Sequence, residues 1–136
     1  MFKYTLDNKR YHTLNYHYKT TFSTKVSKVS LNAGFTCPNL DGKVGYGGCI
    51  YCSKTGSGEY GGDKNDDLIT QFTKIKSIIQ KKWPTCKYIA YFQARTNTYA
   101  KVEVLKEKYE PILKLPDVIG LAIATRCDAI DEECLD

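Results

Sequence analysis

KYIAYFQA at residues 87–94 and VIGLAIA at residues 118–124 decide the fold of this chain. The first segment is rich in aromatic and β-branched residues, which favour a strand. The second is a continuous apolar run, as expected of a strand that is buried on both faces of a sheet. Residues 102–113 between them have the character of a helix, which Pro111 shortens or kinks. Strands separated by a helix predict parallel pairing through a right-handed crossover.

The segments on either side continue the same alternation. Residues 26–35, VSKVSLNAGF, predict a first strand that ends in a turn. Apolar residues at helical spacing predict a helix that is capped by Asn65 or Asp66 and that stops before Pro84. A further helix begins in residues 128–135. This order predicts an α/β fold with parallel strands, and such sheets bind ligands beyond the carboxyl ends of their strands.

The composition of the 136-residue chain is that of a globular protein, with 42% hydrophobic and 26% charged residues. No apolar run approaches the roughly 20 residues that span a bilayer. The N-terminus lacks the apolar core and the small-residue cleavage site of a signal peptide. We therefore predict a cytoplasmic protein without a membrane partner. In a reducing compartment, clustered cysteines indicate metal binding or redox chemistry rather than disulfides.

Basic charge is concentrated in a leader, residues 1–25, which we predict to be helical. Residues 1–28 carry six basic side chains and one acidic side chain, whereas residues 29–136 carry 14 of each. Aromatic residues alternate with these cations, namely Tyr4, Tyr11, Tyr16, Tyr18 and Phe22. Such a mixture can bind the backbone and the bases of RNA. A solvated, partly docked helix is the more common explanation of a charged segment.

Three cysteines lie in a glycine-rich segment after the first strand, with the spacing Cys37-x11-Cys49-x2-Cys52. The two intervening residues let Cys49 and Cys52 bind one metal centre, and Cys37 joins from the other side of the segment. Three thiolates are one short of the four that a structural zinc site or an ordinary four-iron cluster takes. With three, one iron stays open to a substrate or a cofactor. The alternatives are ordinary buried thiols, or a zinc site completed by Cys86 or a leader histidine.

Polar side chains follow the other two predicted strands at their carboxyl ends. After the second strand come Gln93, Arg95 and Thr96, and after the third come Arg126 and Asp128. Because parallel strands end at the same edge of a sheet, we expect these side chains to lie near the cysteines. Polar groups that merely cap the following helices are the alternative.

Three segments together resemble the start of radical S-adenosylmethionine (SAM) enzymes. They are KVSLNAGFTCPNLDGKVGYGGCIYCSKTGSGEY at residues 28–60, IAYFQARTNTYA at residues 89–100 and IGLAIATRCDAI at residues 119–130. The chain is specifically similar to a bacterial group related to the elongator-type catalytic subunit, in which the first and second cluster cysteines are widely spaced. The resemblance extends from about Lys25 to the C-terminus.

The resemblance implies that Cys37, Cys49 and Cys52 hold three irons of a [4Fe-4S] cluster. The open iron would be chelated by the amino and carboxylate groups of SAM, and Tyr51 would lie near the adenine. Reduction of the cluster, by a flavodoxin-type or ferredoxin-type electron donor, would cleave SAM and generate a 5′-deoxyadenosyl radical. The cofactors would then perform the radical chemistry while the protein orients them.

The same resemblance implies further contacts with SAM. Gln93 and Thr96 would meet its methionine part, and Arg126 would pair with its carboxylate, a task that suits a planar guanidinium. The group usually has Pro at the position of Cys127 and an aromatic residue at the position of Arg95, so these two residues have no assigned role. No residue is assigned a catalytic role.

The implied fold is the N-terminal half of a partial (β/α) barrel, with residues 26–136 forming the first part of a truncated radical SAM core domain. A full eight-fold barrel of this type runs to about 250 residues, so we expect this fragment to be inactive alone. The kinship and the basic leader suggest modification of a base in RNA, such as tRNA. The rival hypothesis is a non-catalytic module that binds zinc or an iron–sulfur cluster and recognises RNA. Oligomeric state is not predicted.

Overall fold

A computed structural model describes residues 2–3 and 5–136, so Met1 and Tyr4 of the predicted leader lie outside the described residues. Its sheet has three parallel strands in the order β1-β2-β3. The α/β class and the parallel pairing are therefore confirmed. The elements in chain order are α1 (Leu14–Phe22), β1 (Val26–Leu31), α2 (Leu68–Lys82), β2 (Lys87–Phe92), α3 (Val102–Leu113), β3 (Val118–Ile123) and α4 (Glu132–Leu135).

The hydrophobic core lies between one face of the sheet and helices α2 and α3. The first two strands pair in register, from Val26 opposite Lys87 to Leu31 opposite Phe92. Alternate residues of each strand point to the same face, so this pairing aligns the apolar side chains. The buried core side chains include Val29, Leu31, Tyr88, Ala90 and Phe92 from the sheet, and Phe72, Leu105, Tyr109 and Ile112 from the helices.

The opposite face of the sheet is less covered. Lys28 is exposed there, and its ammonium lies 4.1 Å from the ring centroid of Tyr91. Every residue of β3 is only partly buried. The prediction that this strand is buried on both faces is therefore wrong, because β3 is the edge strand and the described elements cover one face of the sheet.

Several element boundaries differ from the predicted ones. Helix α2 is capped by Asp67, whose carboxylate accepts hydrogen bonds from the backbone N–H groups of Ile69 and Thr70, rather than by Asn65 or Asp66. The strands end at Leu31, Phe92 and Ile123, shortly before the predicted ends. Helix α3 has the predicted bounds and keeps Pro111 inside it.

The ends of the chain are less helical than predicted. Within the predicted leader the helix covers only Leu14–Phe22, which is capped by Thr13 and buries no side chain. The predicted last helix is divided into a 3₁₀ turn, Cys127–Ala129, and the short α4. No helix in the described part of the chain is long and apolar enough to cross a membrane.

The segment between β1 and α2, which we call the cysteine loop (residues 32–67), is closed at its base by Gln71. The Gln71 side chain is 1% exposed. Its amide oxygen accepts from the backbone N–H of Asn32 at 2.9 Å, and its amide nitrogen donates to the carbonyls of Asn32 and Asp66 at 3.0 Å each. A side chain at Gly62 would collide with Gln71. One glutamine therefore holds both ends of the loop together.

Removal of this closure should destabilise the protein. Gln71→Met keeps the length of the side chain but leaves the polar backbone groups of Asn32 and Asp66 without their partner. An unsatisfied buried group costs about 1–3 kcal/mol, and we expect a loss of this size in the free energy of unfolding. Urea denaturation followed by circular dichroism measures it.

The matched control is Gln80→Met, an exposed glutamine of the same helix. Its effect should stay within about 0.5 kcal/mol, as for surface substitutions in general. Equal unfolding free energies for the two variants would show that Gln71 does not close the loop.

Candidate functional site

A cavity of about 430 Å³ lies beyond the carboxyl ends of the three strands. It brings together residues that are far apart in the sequence, from the cysteine loop, from the segment after β2 and from the segment after β3. All the predicted site residues line it, namely Cys37, Cys49, Tyr51, Cys52, Gln93, Thr96 and Arg126. The sequence-based expectation that these side chains share one site is met by the structure.

Backbone hydrogen bonds fold the cysteine loop so that the cysteines face one cavity. The carbonyl of Cys37 accepts from the N–H groups of Leu40 and Asp41, at 2.8 and 3.2 Å. The N–H of Gly48 donates to the carbonyl of Asn39 at 2.9 Å, which closes a compact turn between the first two cysteines. A further bond from the N–H of Cys52 to the carbonyl of Cys49 spans 3.0 Å.

Asn39 contacts a cysteine directly. Its side-chain amide donates to the sulfur of Cys49 at 3.0 Å. The sequence analysis missed this residue, because an asparagine in a glycine-rich segment is also what an ordinary turn contains. Its position two residues after Cys37 was the only available signal.

The surroundings favour the thiolate form at two of the three cysteines. Hydrogen bonding from Tyr51 and then from Asn39 lowers the pKa of Cys49. Burial is the largest single effect on Cys37 and raises its pKa. Hydrogen bonds from the Thr96 side chain, the Asn39 backbone and Arg126, together with the charge of Arg126, outweigh burial and leave the pKa of Cys37 below its ordinary value. Thiolates are the form in which cysteine binds metals.

The third cysteine behaves differently. Burial, followed by the negative charges of Cys49 and Cys37, raises the pKa of Cys52. The three sulfurs are therefore close enough to act on one another electrostatically. A positively charged metal centre between them would relieve this repulsion.

The donor set suits an iron–sulfur cluster, since soft thiolates with hydrogen bonds to sulfur are what such a cluster takes. In residues 2–3 and 5–136, however, no group of three or more His, Cys, Asp or Glu side chains is arranged to hold a metal ion. The three thiols share a cavity but are not gathered around one ion. In a four-iron cluster each thiolate binds a different iron, so such a cluster suits cysteines that are spread over one cavity better than a single ion does.

Cys86 cannot complete a zinc site with these cysteines. It is buried in the hydrophobic core, and it directly precedes Lys87 at the amino end of β2, whereas the cavity lies at the carboxyl end. Cys86 is therefore a packing residue of the core. Neither His12 nor His17 lines the cavity either.

Arg126 is held by a carboxylate in this structure. Its Nε and Nη2 atoms donate to the two carboxylate oxygens of Asp128 at 2.8 and 2.7 Å. Its Nη1 atom lies 3.9 Å from the sulfur of Cys37. The hydrogen bonds with Asp128 raise the pKa of Arg126 and lower that of Asp128. The guanidinium is thus a fixed positive charge beside the first cysteine, and a ligand carboxylate would have to share it with Asp128.

Cys127 stands where the resembling group usually has Pro, and this difference does not disturb the turn after β3. Arg126 has extended backbone angles, φ −121° and ψ 148°, and Cys127 is the first residue of the 3₁₀ turn. A proline at that position would require the same extended predecessor and the same place at the start of a helix. Cys127 is exposed and does not line the cavity.

Arg95 ties the cysteine loop to the end of β2. Its guanidinium donates to the carbonyl of Lys54, and its backbone N–H donates to the carbonyl of Gly56 at 3.1 Å. Its φ of 68° is in the left-handed region. A side chain at Gly56 would collide with Arg95. The sequence analysis left Arg95 without a role, because this long-range contact leaves no local pattern.

Asn97 joins the ends of two strands beneath the cavity. It is fully buried, and its side-chain amide donates to the carbonyls of Phe92 and Ala124 at 3.1 and 3.0 Å. The neighbouring Thr96 donates its N–H to the carbonyl of Thr36 at 3.2 Å, just before the first cysteine. These bonds link the segments that follow all three strands. The sequence analysis did not single out Asn97.

Comparison with known proteins finds similar chains in two domains of life. The chain is 56% identical over 135 residues to the uncharacterized protein YtqA of Bacillus subtilis (strain 168). The matched region covers 99% of this chain and 42% of YtqA. It is 32% identical over 115 residues to protein YhcC of Escherichia coli (strain K12), covering 85% of this chain and 36% of YhcC. It is 36% identical over 121 residues to the uncharacterized protein MJ0486 of Methanocaldococcus jannaschii, covering 87% and 36%.

This chain therefore spans less than half the length of each of these relatives. No family model matches the chain. No solved structure matches it either.

The contact between Gly56 and Arg95 can be tested by substitution. Gly56→Ala places a side chain where the Arg95 side chain lies, in addition to the roughly 1–2 kcal/mol of strain that a left-handed φ costs a non-glycine residue. We expect Arg95 to release the Lys54 carbonyl, so that trypsin cleaves faster after the exposed Lys54. Mass spectrometry of the digest follows this cleavage.

Gly34→Ala provides the matched control, because Gly34 has a similar φ of 75° and no atom within 4 Å of an added side chain. This variant should have the same backbone strain, but trypsin should cleave it after Lys54 no faster than the unsubstituted protein. If both variants are cleaved there at the same rate, Arg95 does not hold the loop.

Proposed function

We propose that this protein is a radical SAM enzyme whose cluster site is the cavity at the carboxyl ends of the strands. One observation carries the proposal: the three cysteines, Tyr51, Gln93, Thr96 and Arg126 line the same cavity. Ligand binding at this edge is what parallel α/β sheets support. We further propose that the sheet belongs to a partial (β/α) barrel.

Cys37, Cys49 and Cys52 would hold a [4Fe-4S] cluster, which, when bound and reduced, would supply the electron that cleaves SAM into methionine and a 5′-deoxyadenosyl radical. The residues around the cysteines have supporting tasks. Asn39 fixes the sulfur of Cys49 by its hydrogen bond. Arg126 places positive charge beside Cys37, which offsets the negative charge that the thiolates bring into the cavity.

The SAM molecule would lie on the strand-end side of the cavity. Gln93 and Thr96 follow β2 and line the wall there, where they can bind the methionine part. Arg126 can bind the carboxylate by exchanging one of its two bonds to Asp128. Tyr51 hydrogen bonds with Cys49, which raises the pKa of the Tyr51 hydroxyl and keeps its ring at the cavity. We propose that this ring packs against the adenine.

We propose that the substrate is a base in RNA, that the electron donor is a flavodoxin-type or ferredoxin-type protein and that the reaction takes place in the cytoplasm. The support for RNA is the basic, aromatic character of the leader. Aromatic side chains contact one another along the leader. His12 packs edge-on against Tyr16 at 5.2 Å between ring centroids, and within α1 the Tyr18 ring contacts the rings of His17 and Phe22. A reducing compartment suits the six free cysteines.

The cluster assignment makes a direct prediction about metal content. Replacing Cys37, Cys49 or Cys52 by Ala should remove most of the iron from protein that has been reconstituted anaerobically with iron and sulfide. Cys86→Ala, Cys127→Ala and Cys134→Ala should keep it, because none of these thiols lines the cavity. Iron and sulfide analysis with the visible absorption spectrum measures the difference.

Full iron loading of the Cys49→Ala variant would show that Cys49 is not a cluster ligand. A colourless protein that binds zinc instead of iron would favour the rival hypothesis, a metal-binding module that recognises RNA without catalysis.

The activity itself is tested on the chain extended to the length of its relatives, because residues 1–136 alone are expected to be inactive. The extended protein is reconstituted and incubated with SAM and a strong reductant under anaerobic conditions. We expect 5′-deoxyadenosine to form, as measured by liquid chromatography, and to be absent with the Cys49→Ala variant. Iron-loaded protein that forms no 5′-deoxyadenosine would refute the proposed reaction while leaving the cluster in place.

A further inference from the structure

Two long stretches of the chain contain no acidic residue. Residues 8–40 carry five basic side chains and residues 68–102 carry seven, with no Asp or Glu in either stretch. Together they hold 12 of the 20 basic residues of the chain. The acidic residues lie elsewhere, so any surface that both stretches build has one sign of charge.

The fold brings these two stretches together at the amino ends of β1 and β2. The backbone N–H of Lys87 donates to the carbonyl of Lys25 at 2.9 Å. The Thr24 hydroxyl donates to the carbonyl of Thr85, also at 2.9 Å. The carboxyl end of α2 leads into the same place and ends in the exposed Lys81 and Lys82.

Trp83 lies at the centre of this surface. The ammonium groups of Lys25 and Lys82 lie over its indole ring, at 5.1 and 4.6 Å from the ring centroid. Lys25 also donates to the Asn15 side chain in α1 at 3.1 Å, which links the leader helix to the indole. Trp83 is 38% exposed, and it is the single tryptophan of the chain. A base that stacks on the indole would take the place of one of these ammonium groups over the ring, and the displaced lysine would be free to contact a phosphate.

The positively charged surface ends near the third strand, where an acidic residue balances a lysine. Asp117, just before β3, pairs with Lys76 at 3.3 Å. The surface that stays unbalanced is therefore limited to the first two strands and the helices next to them. We call it the lysine–tryptophan patch, formed by Lys25, Lys81, Lys82 and Trp83.

We propose that the lysine–tryptophan patch binds RNA, with its lysines on the phosphates and Trp83 stacked on an unpaired base; the choice of RNA rests on the proposed function. Binding of an acidic protein, such as the electron donor, would require only the positive charge of the patch and not an exposed indole. The indole, and the aromatic side chains of the adjoining α1, add surfaces on which bases stack.

The position of the patch adds a geometric constraint. The strands are six residues long, so the patch lies about 20 Å from the carboxyl ends of the strands at 3.3 Å per residue. The patch and the cavity are thus at opposite ends of the sheet. An RNA that touches both must extend over at least this distance, about six stacked nucleotides at 3.4 Å each. The patch would therefore anchor a part of the RNA that is remote from the reacting base.

Binding is tested with an unmodified tRNA transcript, and Trp83 provides the reporter. We expect the transcript to quench Trp83 fluorescence, with affinity that falls steeply as salt rises. Fluorescence anisotropy of end-labelled transcript gives the affinity independently. Binding by anisotropy with unchanged Trp83 emission would place the RNA elsewhere and overturn the proposal.

The lysines are tested with Lys81→Gln and Lys82→Gln combined. Loss of two phosphate contacts should flatten the slope of log affinity against log salt by about 1.5. The control combines Lys64→Gln and Lys106→Gln, two exposed lysines with acidic sequence neighbours, and has the same charge change. It should keep the original slope. Equal slopes in both double variants would refute the role of the patch.

Two further measurements separate this proposal from its neighbours. Quenching of Trp83 by a flavodoxin-type protein, without quenching by tRNA, would assign the patch to the electron donor and overturn the proposal. In the chain extended to the length of its relatives, formation of 5′-deoxyadenosine without RNA should be the same with and without the Lys81→Gln, Lys82→Gln substitutions. RNA binding can therefore fail while SAM cleavage persists, or the reverse, and each result identifies which of the two proposals is wrong.

Discussion

The hydrogen bonds of Gln71 are the constraint on which the candidate site depends. The cysteine loop connects the end of β1 at Leu31 to the start of α2 at Leu68. Gln71 joins the two ends of the loop by hydrogen bonds to Asn32 and Asp66. Without this closure the end of the loop would be held near β1 only by the bond from the N–H of Gly62 to the carbonyl of Ser30. The three cysteines would then be held less firmly against the residues that follow β2 and β3.

A second set of contacts holds the site on the side of the strand ends. Asn97 joins the segments after β2 and β3, and Arg95 holds the part of the cysteine loop that follows Cys52. Arg126, fixed by Asp128, directs positive charge at Cys37. The site is therefore a glycine-rich loop that is held at its base and along one side by residues next to a parallel sheet. The loop supplies the cysteines, and the strand ends supply the polar groups that face them.

Much of this arrangement could be predicted from the sequence, and the rest has physical reasons for escaping prediction. Helix α2 follows from the helical spacing of its apolar residues, and β2 and β3 follow from their aromatic, β-branched and apolar composition. The parallel order then places the strand-end residues Gln93, Thr96 and Arg126 near the cysteines. The cap of α2 was misplaced because three adjacent Asx residues compete for it. The burial of β3 was misjudged because it depends on which elements cover the sheet. The contacts of Asn39 and Arg95 are tertiary and leave no periodic signal.

Closure of the cysteine loop at its base also affects how the chain tolerates changes in length. The entropy cost of closing a loop grows only with the logarithm of its length, by about 0.6 kcal/mol for each doubling. Because Gln71 holds the ends, residues inserted between Cys37 and Cys49 add little to that cost and do not alter the register of the strands. The turn between Asn39 and Gly48 can thus change in length at little cost if the bonds of Asn39 to Gly48 and Cys49 are kept. Asn32, Asp66 and Gln71, by contrast, must keep their positions relative to the sheet.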